Sequence, residues 1–163
     1  MSSLNVAKQV AIDSEDQLRA DMYSFLANLL RAEPTAELVN QITTLQSDES
    51  PIGKSIKTLV KLASSLDLPT IRDEYVRIFI GVGRGELLPF ASYYLTGFLK
   101  DKPLAKLRND MKEIGIEIES NVKEPEDHIA SLFDMMSGLI LGKFTRNYTI
   151  GEQRDFFNKH LAP

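Results

Sequence analysis

Two short stretches of the sequence hold residue types able to do chemistry. Glu124-Pro125-Glu126-Asp127-His128 brings three carboxylates and an imidazole into five residues. Such a group can hold a divalent cation or move protons. A metal site needs partners at helical spacing, yet the sequence has one other histidine, His160, and neither an HExxH nor a paired ExxH pattern. Hydrolysis by an Asp-His pair needs a nucleophile and an oxyanion hole, and no motif for either is present. The simpler reading is a helix start, since the macrodipole favours acidic side chains in a first turn. The second stretch, Gly81 to Pro89 (GVGRGELLP), contains a GxGxG. A phosphate loop follows a strand, opens a helix and often supplies a lysine. This one follows a helical pattern and lacks GK[ST], so a helix stop and tight turn fit it better.

Two further sets point to binding instead of catalysis. Phe79, Phe90, Tyr93, Tyr94 and Phe98 are aromatics at near-helical spacing, which usually means core. The segment from Phe90 to Leu99 is apolar on more than one face, so a short helix there cannot turn all of it inward. Some of these side chains are expected to line a groove of the kind that takes amphipathic or extended peptides. Glu117, Glu119, Glu124, Glu126 and Asp127 face a single basic residue, Lys123. They form either a solvated loop and helix start or an acidic rim that attracts a basic peptide.

The elements that must position these residues are helical. Leu18, Met22, Phe25, Leu26 and Leu29 fall on one helix face, and Ser14 with Gln17 resembles a capping box at its start. A second helix is expected over residues 37–45. Ser50 and Pro51 read as cap and first turn of a third, with Ile52, Ile56, Leu59, Val60 and Ala63 on its face. After a break at Asp67 to Thr70, the residues Ile71, Tyr75, Ile78 and Phe79 repeat the pattern up to Gly81. A short aromatic helix over residues 91–99 follows, then one carrying Leu104, Leu107, Met111 and Ile114 between Pro103 and Gly115. Residues 116–122 alternate apolar and polar, but a lone strand has no partner, so an extended loop is predicted. The strongest helix begins near Pro125 and carries Ile129, Leu132, Phe133, Met136, Leu139 and Ile140 on a stripe wide enough for a central place. A final helix covers about 151–161. The expectation is an all-α, single compact multi-helix bundle over residues 1–163.

Composition narrows the function. The absence of cysteine excludes disulfides, thiolate catalysis and zinc-thiolate sites. A net charge of −4 with no basic stripe argues against nucleic acid. The longest uncharged stretch, Leu87 to Leu99, is shorter than the roughly 20 residues of a membrane span. The first 17 residues lack the basic and apolar regions of a signal peptide, so a cytoplasmic location is expected.

The order of the motifs is more specific than any one of them. DEYVRIFIGVGRGELLPFASYYL, followed by EPEDHIASLFDMM, is similar to the TorD/DmsD/NarJ family of redox enzyme maturation chaperones. The residues that carry the resemblance are Glu74, Tyr75, Ile78, Phe79 and Gly81, then Pro89, Phe90 and Ser92, then Glu124, Pro125, Asp127 and His128. Ile78, Val82, Phe90 and Ala91 depart mildly from the family pattern. The resemblance runs from about residue 14 to 161, and His160-Leu161-Ala162-Pro163 matches a segment after which the family continues with a further C-terminal helical portion. It implies a TorD-like fold and a non-enzymatic role without cofactor or metal. The partner implied is an apo molybdoenzyme catalytic subunit, with a formate dehydrogenase or related reductase as one such client, held by its twin-arginine leader or N-terminal tail until molybdopterin is inserted. The peptide-binding residues implied are Tyr75, Phe79, Pro89, Phe90, Ser92, Glu124, Asp127 and His128. Exposed apolar surface would also favour a homodimer. Two other readings stand beside this one. They are a small nucleotide-binding or hydrolytic enzyme using Asp127 and His128, and a general helical adaptor.

Overall fold

The structure, a computed structural model, describes residues 12–117 and 124–163. Its regular elements are α1 (Ser14–Arg31), α2 (Ala36–Thr43), α3 (Pro51–Ser65), α4 (Leu68–Tyr75), a π-helical turn (Val76–Ile80), α5 (Ala91–Thr96), α6 (Lys102–Ile114), α7 (Ile129–Ile140) and α8 (Ile150–His160). The all-α expectation therefore holds among the described residues. One antiparallel bridge, Phe90 to His128, is the strand-type pairing among them. The strand-like reading of residues 116–122 falls mostly outside the described residues, as do Glu119, Lys123 and the first eleven residues.

Caps explain where most helices begin. The side chains of Thr35, Ser50, Asp67 and Thr149 each accept a first-turn backbone N–H. Such caps satisfy donors that the helix itself leaves unpaired. Asp67 caps α4, so the expected break there shortens, and Leu68 and Pro69 already lie in the helix. At α1 the cap is Asp13 and not Ser14, whose position is the first helical one. A carboxylate at the positive end of the helix is the stronger acceptor.

Residues of α7 dominate the core. Leu132, Met135, Met136, Leu139 and Ile140 are buried, together with Leu104, Leu107 and Met111 of α6 and Phe156 of α8. The wide stripe read from the sequence thus places α7 centrally. Helix α1 lies along α7, but not by the face its large apolar residues suggest. Leu18 is 70% exposed, whereas Ala20 and Ala27 are fully buried. Small residues let the two helices approach closely. A Ser24–Ser137 hydroxyl pair at 2.9 Å and an Arg31–Asp134 ion pair fix the contact. In the same way Ile52 of α3 is exposed although it belongs to the predicted stripe, because α3 packs chiefly on α2.

Candidate functional site

The segments Pro89–Ser92 and Asp127–Ile129 are stitched into one unit. Ile129 N–H donates to the Pro89 carbonyl at 2.8 Å, and Ala91 N–H donates to the Asp127 carbonyl at 3.0 Å. Between them the Phe90 and His128 rings meet edge to face at 5.2 Å. The backbone N–H of Ser92 then donates to Asp127 Oδ2 at 2.8 Å. His128 N–H donates to the Pro125 carbonyl at 3.1 Å, closing a turn over residues 125–128, and His128 is extended, so α7 starts at Ile129 and not near Pro125. The acidic residues therefore precede the helix and do not occupy its first turn, which corrects the macrodipole reading.

Each acidic side chain has its own setting. Glu126 is buried and is held by Arg108 of α6, through Nε at 3.0 Å and Nη2 at 2.8 Å. Asp127 is 1% exposed, and its Oδ1 has no hydrogen-bond partner among the described residues. Glu117 and Glu124 are exposed. The acidic rim read over residues 117–127 is thus corrected in part: Glu126 and Asp127 turn inward, while Glu117 and Glu124 stay exposed among the described residues. His128 is buried too. Its Nδ1 accepts from Ala130 N–H at 3.1 Å and caps α7. Burial pushes the imidazole below its usual pKa, with Glu124 pulling partly the other way. Asp127 bonds Ser92 and His128 bonds Ala130, so the two do not form the acid–base pair that the hydrolytic alternative requires.

The glycine loop serves backbone packing. Gly81 has φ +60° and donates to the Val76 carbonyl at 2.7 Å, closing the π-helical turn. A Cβ on Gly81 would strike the Arg84 backbone, and one on Gly85 would strike the backbone of Ile78 and Phe79. With Leu87 N–H bonded to the Ile78 carbonyl at 2.8 Å, the loop folds back on the turn it leaves. That is the helix stop and turn predicted, without the strand and helix start of a phosphate cradle. Arg77 ion-pairs with Glu74 and Glu86, which ties the two arms of the loop together.

Below the loop lies an apolar cavity of about 400 Å³. Phe79, Leu87, Pro89, Phe90, Tyr94 and Leu95 line one part of it, and Leu30, Ile129 and Leu161 another; Asp127 and His160 add polar atoms. Tyr75 supports this wall from behind. Its hydroxyl donates to the Leu30 carbonyl at 3.0 Å, and its ring packs on Phe79 at 4.9 Å. Burial raises the Tyr75 phenol pKa, and the nearby Glu124 and Glu33 raise it further. Of the eight predicted residues, Phe79, Pro89, Phe90 and Asp127 line the cavity, and Tyr75, Ser92 and His128 hold those in place. Glu124 stands outside. Tyr93 instead carries the Arg84 guanidinium, 5.0 Å above its ring, and Phe98 lies beyond the end of α5. Among the described residues no cluster of three metal-ligating side chains occurs, and no helix is long and apolar enough to cross a membrane.

Sequence reasoning missed Leu30, Leu161 and His160 as lining residues and Arg108 as the partner of Glu126. His160 Nε2 lies 2.8 Å from Asp110 Oδ2, so the cavity's floor is tied to α6. The one available signal was the alignment of His160-Leu161 with a family segment; Arg108 and Leu30 carry none.

Comparison with known proteins bears on the family and the fold. Residues 45–163 match the family model described as nitrate reductase delta subunit. The chaperone protein TorD of Vibrio cholerae serotype O1 is 24% identical over 166 residues, covering 90% of this chain and 76% of that protein. TorD of Aliivibrio fischeri is 28% identical, covering 77% of this chain and 66% of the relative. A crystal structure from Archaeoglobus fulgidus, of a protein proposed to be a redox enzyme maturation protein, superposes with a TM-score of 0.56 at 15% identity, over 86% of this chain and 79% of that one. At that identity the superposition establishes the fold.

Proposed function

Because this chain belongs to the nitrate reductase delta subunit family, we propose that it is a cytoplasmic chaperone of the TorD type, which binds the twin-arginine leader or N-terminal tail of an apo molybdoenzyme subunit and holds it for molybdopterin insertion. It acts by binding and not by catalysis. The relatives named as TorD chaperones support the class. One observation carries the peptide-binding part: Asp127 lines the apolar cavity, and one oxygen of its buried carboxylate has no hydrogen-bond partner among the described residues. Buried polar atoms are nearly always satisfied, and an exception at a cavity wall suits an incoming donor. A peptide supplies N–H donors along its backbone and apolar side chains beside them.

The residues divide the work accordingly. Phe79, Pro89 and Phe90 offer apolar surface to the leader's apolar stretch. Asp127 Oδ1 accepts a donor from it. Glu124 attracts the arginines from outside. Tyr75, Ser92 and His128 position the others, through Leu30, Asp127 and Phe90 respectively. Calorimetric titration of the purified protein with a synthetic twin-arginine leader tests the reading. Saturable binding is expected, and it should be lost when the apolar stretch is replaced by serine and glycine. Absence of binding to leaders of several molybdoenzymes would overturn it.

A further inference from the structure

Next to the apolar cavity lies a second, of about 470 Å³. The two share Ala91, Leu95, Asp127, Leu132, His160 and Pro163 as walls, so they form neighbouring arms of one crevice. Their remaining linings differ in kind. Phe79, Leu87, Pro89 and Phe90 belong to the first arm alone, and Lys102, Lys106 and Lys159 to the second alone. Lys102 and Lys106 are one turn apart on α6, exposed, and without a carboxylate at ion-pair distance among the described residues. Lys159 reaches Asp110 at 3.5 Å, a carboxylate it shares with His160. No lysine or arginine is among the described residues that line the first arm.

We infer that the lysine-lined arm takes acidic side chains of the same bound peptide, on the side of its apolar stretch away from the arginines. The inference rests on the leader-binding reading above and adds the direction in which the peptide lies. Guanidinium groups are repelled by the ammonium groups that line the second arm, so the basic end belongs on the Phe79 side. The chain that follows the apolar stretch then enters the arm of Lys102 and Lys106. Charge complementarity of this kind fixes register and orientation more than raw affinity.

The test uses three peptides sharing one twin-arginine head and apolar stretch, with tails carrying two glutamates, two glutamines or two lysines. Against the native protein the glutamate tail should bind about five- to tenfold tighter than the glutamine tail, the size expected for two partly exposed ion contacts. In a Lys102→Glu/Lys106→Glu variant the order should invert, the lysine tail now binding tighter than the glutamate tail. That gain of binding also reports an intact fold. Equal binding of all three tails overturns the inference while leaving the leader reading in place. Failure of every peptide to bind overturns both.

Discussion

The Ser92 backbone N–H holds one oxygen of the Asp127 carboxylate at 2.8 Å, and the other oxygen of this 1%-exposed side chain has no partner among the described residues. A buried carboxylate half satisfied in this way is unfavourable for the fold. Its two oxygens are thus inequivalent: one holds the Ser92 amide, and the other is the acceptor that the leader-binding reading assigns to the peptide. Asp127→Asn can keep the Ser92 bond through its carbonyl oxygen while placing an amide donor where the free acceptor was. Leader affinity is expected to fall at least tenfold with unfolding free energy changed by less than about 1 kcal/mol. Asp127→Ala removes both roles and should destabilise the protein by about 1–3 kcal/mol. Urea titration and calorimetry on the two variants check this. An Asn variant that binds leader like the native protein would remove Asp127 from the recognition surface.

Tyr94 offers a separation of binding from folding. It lines the apolar cavity yet is 62% exposed. Tyr94→Ser should therefore leave the thermal midpoint within about 1–2 °C, since little buried surface is lost. A peptide that covers the ring loses about 1–2 kcal/mol of apolar contact, roughly a tenfold change in Kd or somewhat more. Unchanged leader affinity in this variant would move the apolar contact elsewhere.

Acid should loosen the site through its histidines. Burial holds the imidazoles of His128 and His160 below their usual pKa, opposed in part by Glu124 and Asp110 respectively. Between the native pKa values and the unfolded value near 6.5, the unfolded chain binds more protons. Stability from these residues is full above about pH 6.5 and declines as pH falls below it toward the native values. Protonated Nδ1 of His128 also cannot accept from Ala130 N–H, so the α7 cap is lost. Thermal midpoints should fall between pH 7.5 and 5.5. His128→Asn keeps a cap acceptor without the titration and should flatten part of that slope. An identical slope in the variant would show that His128 does not take part.

Local signals in the sequence were sufficient for most helix positions. Ser50-Pro51, Pro103 and Gly115 mark ends by backbone chemistry that neighbours scarcely alter. Burial was less legible. The apolar period of α1 selects Leu18, but the close approach of α7 selects Ala20 and Ala27. At the site, Glu124, Glu126 and Asp127 look alike in sequence. What separates them is distant in the chain: Arg108 draws Glu126 inward, and the Ser92 amide draws Asp127. The same holds for the start of α7 at Ile129, next to the residue that Phe90 bridges. Motif order singled out both segments; only the fold shows that they are hydrogen-bonded to one another.

The turn at Gly81 places Pro89 and Phe90, and it can be tested against a neighbour that shares its backbone sign. Gly81 and Gly83 both have positive φ, +60° and +85°. A Cβ at 83 meets nothing within 4 Å, whereas one at 81 meets the Arg84 backbone. Gly83→Ala should show the left-handed strain alone, about 1–2 kcal/mol, with leader affinity kept. Gly81→Ala adds a clash that the backbone must move to relieve, at a φ/ψ of +60°/179° that is open essentially to glycine alone. That movement disturbs the Gly81–Val76 bond and the return of Leu87 to Ile78, which together aim the loop at the cavity. Greater destabilisation and a loss of leader binding beyond tenfold are expected for Gly81→Ala, measured side by side with Gly83→Ala. Equal effects of the two substitutions would mean that φ strain, and not the packing of the loop on the π-helical turn, sets the site.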